Sequence, residues 1–126
     1  MNFIYFLFHG FVHLFLIFLI FLVFRLEFFQ VFLIFLASAL VDLDHIPLIK
    51  KKGIKHWIKI WSSHSSQIYP FHNFLSLILS FLLSFLLLSS KLFIVGICFL
   101  SVFLHLFWDF FEDVFILKIG IKHWKV

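Results

Sequence analysis

Leu40-Val41-Asp42-Leu43-Asp44-His45-Ile46-Pro47 is the stretch on which the reading of this chain turns. Two carboxylates and an imidazole fall within four positions, at the end of an almost purely apolar run from Phe28 to Val41. An ionisable side chain at membrane depth costs roughly 2.5–3.5 kcal/mol on insertion scales. Two of them, two residues apart, require a compensating partner. For Asp, Asp and His together that partner is a metal ion or a buried histidine network. The run before them reads as an apolar helix, and Pro47 ends it by withdrawing a backbone donor.

The rest of the chain is equally apolar. Of its 126 residues, 64% are hydrophobic and 13% charged, which excludes an ordinary soluble domain. About 20 apolar residues cross a bilayer. The runs therefore divide one integral membrane domain, residues 1–126, into four spans at about 3–24, 28–45, 71–88 and 92–111. The expected fold class is all-α, a polytopic bundle of four transmembrane helices. The first run lacks a basic n-region and a small-residue cleavage site, and it is too long for a signal peptide, so it is kept as a span. Arg25-Leu26-Glu27 and Ser89-Ser90-Lys91 read as tight turns. In the long loop, Ile54, Trp57, Ile58 and Trp61 share one helical face with Lys55, His56 and Lys59 off it, which predicts a short interfacial helix. Ser76, Ser80 and Ser84 recur at i+4 and form a small polar stripe suited to close helix packing. Trp57, Trp61 and Trp124 read as packing or interfacial anchors. The single Cys98 cannot pair within the chain.

Charge sets the expected orientation. Lys50, Lys51, Lys52, Lys55, Lys59, Lys118, Lys122 and Lys125 fall on the side shared by the termini and the long loop, against Arg25 and Lys91 on the other. The positive-inside rule then puts both termini in the cytoplasm, with the protein in the inner (cell) membrane. The net charge of +4 is topology information and not a nucleic-acid footprint, so no nucleic-acid partner is expected.

This topology gathers the polar residues. His9 and His13 stand near the start of span one, Asp42, Asp44 and His45 at the end of span two, His72 at the opening of span three, and His105 and Asp109 near the end of span four. All face the cytoplasmic side, with His9, Asp42 and His105 roughly 5–12 Å below the interface at 1.5 Å per residue. His9/His13 and His105/Asp109 are i, i+4 pairs, each pointing from one helix face. Each residue alone has a bland explanation: an intramembrane His bonding a neighbouring helix, an Asp capping a loop, a His–Asp pair on one helix. All of these would have to hold together on one side of the membrane. The expected metal ligands are His9, His13, Asp42, Asp44, His45, His105 and Asp109. His72, nearest to water, is the expected general base. His56, His64 and His123 read as solvated or interfacial.

Imidazoles and carboxylates without a thiolate suit a divalent ion, Zn²⁺ first, with Mn²⁺ or Fe²⁺ as alternatives. More than four candidate ligands mean two ions, or one ion with a second shell and a base. No Ser stands in a Gly-x-Ser-x-Gly setting.

In this order, His…His, Asp-Leu-Asp-His-Ile-Pro, a His after a Lys-rich loop, and His-x-x-x-Asp, the chain resembles the membrane-bound metal-dependent hydrolase family, the YdjM-like, LexA-binding inner-membrane-associated proteins. The resemblance runs from His9 to Asp109, and Leu-Val-Asp-Leu-Asp-His is its most specific part. It implies a four-helix membrane protein with a metal centre drawn from His9 or His13, Asp42, Asp44, His72, His105 and Asp109. The departures are in span three, where Phe71-His72-Asn73-Phe74 supplies one His, and before the first His, where the usual Thr is absent.

The expected function is metal-dependent hydrolysis at the cytoplasmic membrane face, on a lipid or lipid-linked phosphate or ester. Its expected partners are membrane lipids, an anionic substrate and a soluble protein at the basic loop. The alternatives are a non-catalytic metal-binding or regulatory scaffold and a haem-binding redox protein. The carboxylates speak against haem, and the absence of an inverted repeat speaks against a transporter.

Overall fold

The computed structural model describes residues 3–47, 50, 71–116 and 124, with the backbone alone at 3–6 and 44. The expected interfacial helix over 54–61 and the histidines His56, His64 and His123 lie outside the described residues. Within them the protein is all-α and has no strand. Four helices follow in order: α1 (Phe3–Phe24), α2 (Phe28–Val41), α3 (Phe74–Leu88) and α4 (Phe93–Phe111). A 3₁₀ turn, Asp42–His45, extends α2, and a π-helical turn, Glu112–Ile116, extends α4.

The helix ends are built by local chemistry. Arg25 takes a left-handed conformation (φ 51°), and the Leu26 N–H reaches back to the Phe21 carbonyl at 3.4 Å. This 6→1 bond closes α1 in a Schellman arrangement and buries Leu26 beneath the turn. Gln30 Oε1 accepts from the Glu27 N–H at 2.9 Å, half of a capping box that starts α2 at the next residue. Asn73 caps α3 by accepting from the Ser76 N–H at 2.9 Å.

α4 is the hub, packed most extensively on α3, then on α2, then on α1. Its closeness to α3 depends on Gly96, where an added Cβ would stand 2.6 Å from the Leu88 nitrogen and 2.8 Å from the Leu87 carbonyl carbon. On α3, Leu77, Ser80 and Ser84 are the buried residues, and each of the two serines bonds its own helix at i−3. Its Oγ is thus satisfied without a partner across the interface, and the two helices can approach closely. Between α4 and α2, Ser101 Oγ donates to the Ile34 carbonyl at 3.1 Å. One apolar cluster, Ile17, Ile20, Leu26, Ile34 and Ile97, fills one end of the bundle, and Val41, Leu77, Leu106 and Trp124 form another.

The outside of the bundle is apolar. Phe28 is 89% exposed and Phe85 70%, and Phe18, Leu22, Phe32 and Leu86 also face outward. Leu7–Phe24 and Phe93–Ile116 are long and apolar enough to cross a membrane, while Phe28–Val41 and Phe74–Leu88 are apolar but shorter.

Candidate metal centre

The polar residues meet at one end of the bundle. α1 contributes His9 and His13 from successive turns of one face. The 3₁₀ turn after α2 contributes Asp42, the residues before α3 contribute His72, and α4 contributes His105 and Asp109, also one turn apart. Asp109 is at the centre and is only 8% exposed. Its Oδ1 stands 3.2 Å from His13 Nε2 and 3.7 Å from His9 Nε2, and these two nitrogens are 2.9 Å from each other. Its Oδ2 stands 2.9 Å from His72 Nε2 and 3.2 Å from His105 Nε2. Asp42 Oδ1 closes the second set at 3.4 Å from His105 Nε2 and 3.9 Å from His72 Nε2.

Two triads result, His9–His13–Asp109 and Asp42–His72–His105, each able to offer ligand atoms within 4.8 Å of one another. They are contiguous: the His13 and His105 rings stack at 3.9 Å. Either triad could hold a metal ion. Ligands bonded at about 2.0–2.2 Å to one ion stand roughly 3–3.5 Å apart, and the separations within the two triads, from 2.9 to 3.9 Å, lie on either side of that range. His105 Nε2 and Asp109 Oδ1 are both buried, and among the described residues neither is taken up by a hydrogen bond. Buried polar atoms left so are costly, and a cation in each triad would remove the cost.

A second layer holds the rings. Glu112 Oε2 lies 2.8 Å from His9 Nδ1, and Ser38 Oγ lies 2.9 Å from His105 Nδ1. Each contact occupies the nitrogen that faces away from the cluster, so the Nε2 lone pair is the one turned inward. Glu112 is 2% exposed. Sequence reading missed both residues. Glu112 follows the end of the span-four run, and Ser38 lies inside the apolar run from Phe28 to Val41. The signal for Glu112 was present: His105, Asp109 and Glu112 are i, i+4, i+7, one continuous helical stripe.

Of the other expected ligands, His45 is buried with its ring edge-on to His72 at 4.8 Å, outside both triads. Asp44 lies in the 3₁₀ turn, and its side chain is outside the described set. His72 sits inside the second triad, next to both carboxylates. Asn73 serves the α3 cap. Trp124 is buried, donates from Nε1 to Asp113 Oδ2 at 2.9 Å, and packs edge-on to Phe110 at 5.3 Å, so its role is packing.

The mouth of the centre is at Asp42, whose side chain is 43% exposed against 3% for His105. A cavity of about 550 Å³ adjoins it, bounded by α1 and α2. Comparison with protein-family models, curated proteins and solved structures finds no match to this chain.

Proposed function

We propose that the chain is a four-span inner-membrane protein with a two-ion, metal-dependent hydrolytic centre on the cytoplasmic side, acting on a lipid or lipid-linked phosphate or ester. Asp109 carries the reading: one of its oxygens faces His9 and His13 while the other faces His72 and His105. A carboxylate so placed would offer one oxygen to an ion held by each triad, and two ions there would supply the chemistry of hydrolytic two-metal sites. Zn²⁺ suits imidazole and carboxylate ligands without thiolate, and Mn²⁺ or Fe²⁺ accepts the same set. Divalent ions held there supply Lewis-acid activation of water and of the scissile bond.

The chain's own residues do the rest. Glu112 and Ser38 orient His9 and His105. The half-exposed Asp42 leaves the second set open toward water and substrate. His72 acts in this reading as a ligand of that set, since its Nε2 lies between the Asp42 and Asp109 carboxylates. In the reaction the water oxygen bonds to phosphorus or to the acyl carbon, the bond to the leaving alkoxide breaks, and that oxygen takes up the proton. Lysines at the same membrane side attract an anionic head group, at about 1 kcal/mol per well-placed Lys. The apolar exterior and the resemblance to the YdjM-like hydrolases support the membrane reading. α2 with its 3₁₀ turn continues helical structure to His45, which favours a span there despite the short α-helix. Haem fits poorly, because the imidazoles stand against each other and against carboxylates.

Metal analysis of the purified protein tests this. About two ions per chain are expected in the wild type, close to one in His13→Ala and in His72→Ala, and close to none in Asp109→Ala. Full metal content with lost activity in His72→Ala would return His72 to the role of general base. A wild-type protein free of metal after growth and purification without chelators would reduce the cluster to a proton-sharing network. Metal without turnover of any lipid phosphate or ester would leave a scaffold.

A further inference from the structure

We propose that the cleft between α1 and α2 seats one hydrocarbon chain of the lipid substrate, which enters sideways from the bilayer; the inference rests on the hydrolytic reading above. The cleft is the cavity of about 550 Å³ that adjoins the centre, a size usual for a small-molecule site. Its inner end is made by three imidazoles of the cluster and Asp42. Its walls are apolar, with Leu14 and Ile17 on α1 and Phe35 and Ala39 on α2. Polar chemistry at one end and hydrocarbon walls at the other match a molecule with an anionic head and an apolar tail.

The direction also fits. From His9 to Ile17 on α1, and from Asp42 back to Phe35 on α2, the cleft runs about 10–12 Å along the helices at 1.5 Å per residue. It runs from the end of the bundle that carries the cluster toward mid-span, as a lipid tail does. α1 and α2 touch each other much less than either α2 or α3 touches α4, so the seam between them is the loose one. Leu14 and Phe35, at the lip, are about half-exposed on the outside of the bundle. An added Cβ at Gly10, in the cleft wall one residue from His9, meets nothing within 4 Å, so the wall is open there. A smaller cavity of about 290 Å³, bordered by Ala37, Val41, Cys98 and Leu106, is almost wholly apolar and includes no residue of either triad, so it offers a tail no route to the chemistry.

The test uses full-length, metal-loaded protein in phosphatidylcholine nanodiscs containing phosphatidic acid with a photoreactive diazirine on one acyl chain. Peptide mass spectrometry locates the cross-links, and metal content is measured on the same samples. Cross-links are expected on the cleft residues Leu14, Ile17, Phe35 and Ala39. In Gly10→Leu, and separately in Ala39→Leu from the opposite wall, this labelling should fall about tenfold, the consequence of expelling a couple of buried methylenes, with metal content unchanged. Labelling only of outward residues such as Phe18 and Phe85, or cleft labelling that survives both substitutions, would overturn the seat and leave the metal reading standing. Cleft labelling in protein that takes up no metal would keep the lipid seat and overturn the hydrolytic reading. Because the blocking residues come from two helices, misfolding of one variant is recognised by its lost metal and the other decides.

Discussion

Glu112 holds His9 through Oε2 and Nδ1 at 2.8 Å, and its other oxygen is buried with no hydrogen bond among the described residues. A carboxylate behind a metal-ligating imidazole fixes the tautomer and raises the basicity of the ligating nitrogen, and losing such a partner typically costs 10–100-fold in metal affinity or activity. Glu112→Ala is therefore expected to weaken metal binding by roughly that factor while leaving all six triad residues in place. Competition titration against a fluorescent chelator measures it. An unchanged affinity would make Glu112 a buried charge partner of His9 and nothing more. Ser38 does the same for His105 with a neutral oxygen, so its removal should cost less.

Among the helices, the α3–α4 pair is the firmest and Gly96 is its closest point. A methyl group at Gly96 would run into the Leu87–Leu88 backbone at 2.6–2.8 Å, and backbone cannot swing aside as a side chain can. Gly96→Ala is expected to destabilise by about 1–3 kcal/mol, the usual cost of overpacking, read as a lowered Tm in detergent. Gly10→Ala is the matched control, because nothing lies within 4 Å of an added Cβ there. It should hold or raise the Tm, since alanine is the better helix former by about 1 kcal/mol. A Gly96→Ala protein as stable as the Gly10→Ala control would mean that α3 and α4 have slack between them. The serine stripe on α3 belongs to the same interface: Ser80 and Ser84 bond their own helix and present little bulk to α4.

For the whole molecule the sidedness of the centre matters most, because in the proposed function it decides which pool of substrate the cluster meets. Eight lysines against two basic residues predict cytoplasmic termini and a cytoplasmic centre. A C-terminal reporter active only outside the cytoplasm should stay silent. An active reporter would turn the centre to the opposite face and remove the cytoplasmic substrate with it. The exposed phenylalanines on every helix have no other apparent cover than lipid or a further chain, and contiguous apolar surface of this extent is not left to water.

Some of this was legible in the chain as written. Hydropathy runs and breaker residues are local properties, so the helical class and the turns at Arg25–Glu27 and Ser89–Lys91 could be read directly. The i, i+4 spacing of His9/His13 and His105/Asp109 is a local property too, and it put each pair on one helix face. Which partner each side chain meets is not local. That Asp109 turns one oxygen to α1 and the other to His72 and His105 follows from the tilt and rotation of α4 against three other helices. Those are set by packing at Gly96, Ser80, Ser84 and Ser101. Glu112 stands on the His105–Asp109 stripe, where α4 passes into the π-helical turn, but that it meets His9 of α1 there is decided by how the two helices pack. The open seam between α1 and α2 is likewise a tertiary property, since α1 and α2 both lean on α4 more than on each other. Sequence alone determined which residues could do chemistry and on which end of each helix they stood; tertiary packing decided that they share one carboxylate and adjoin a cleft.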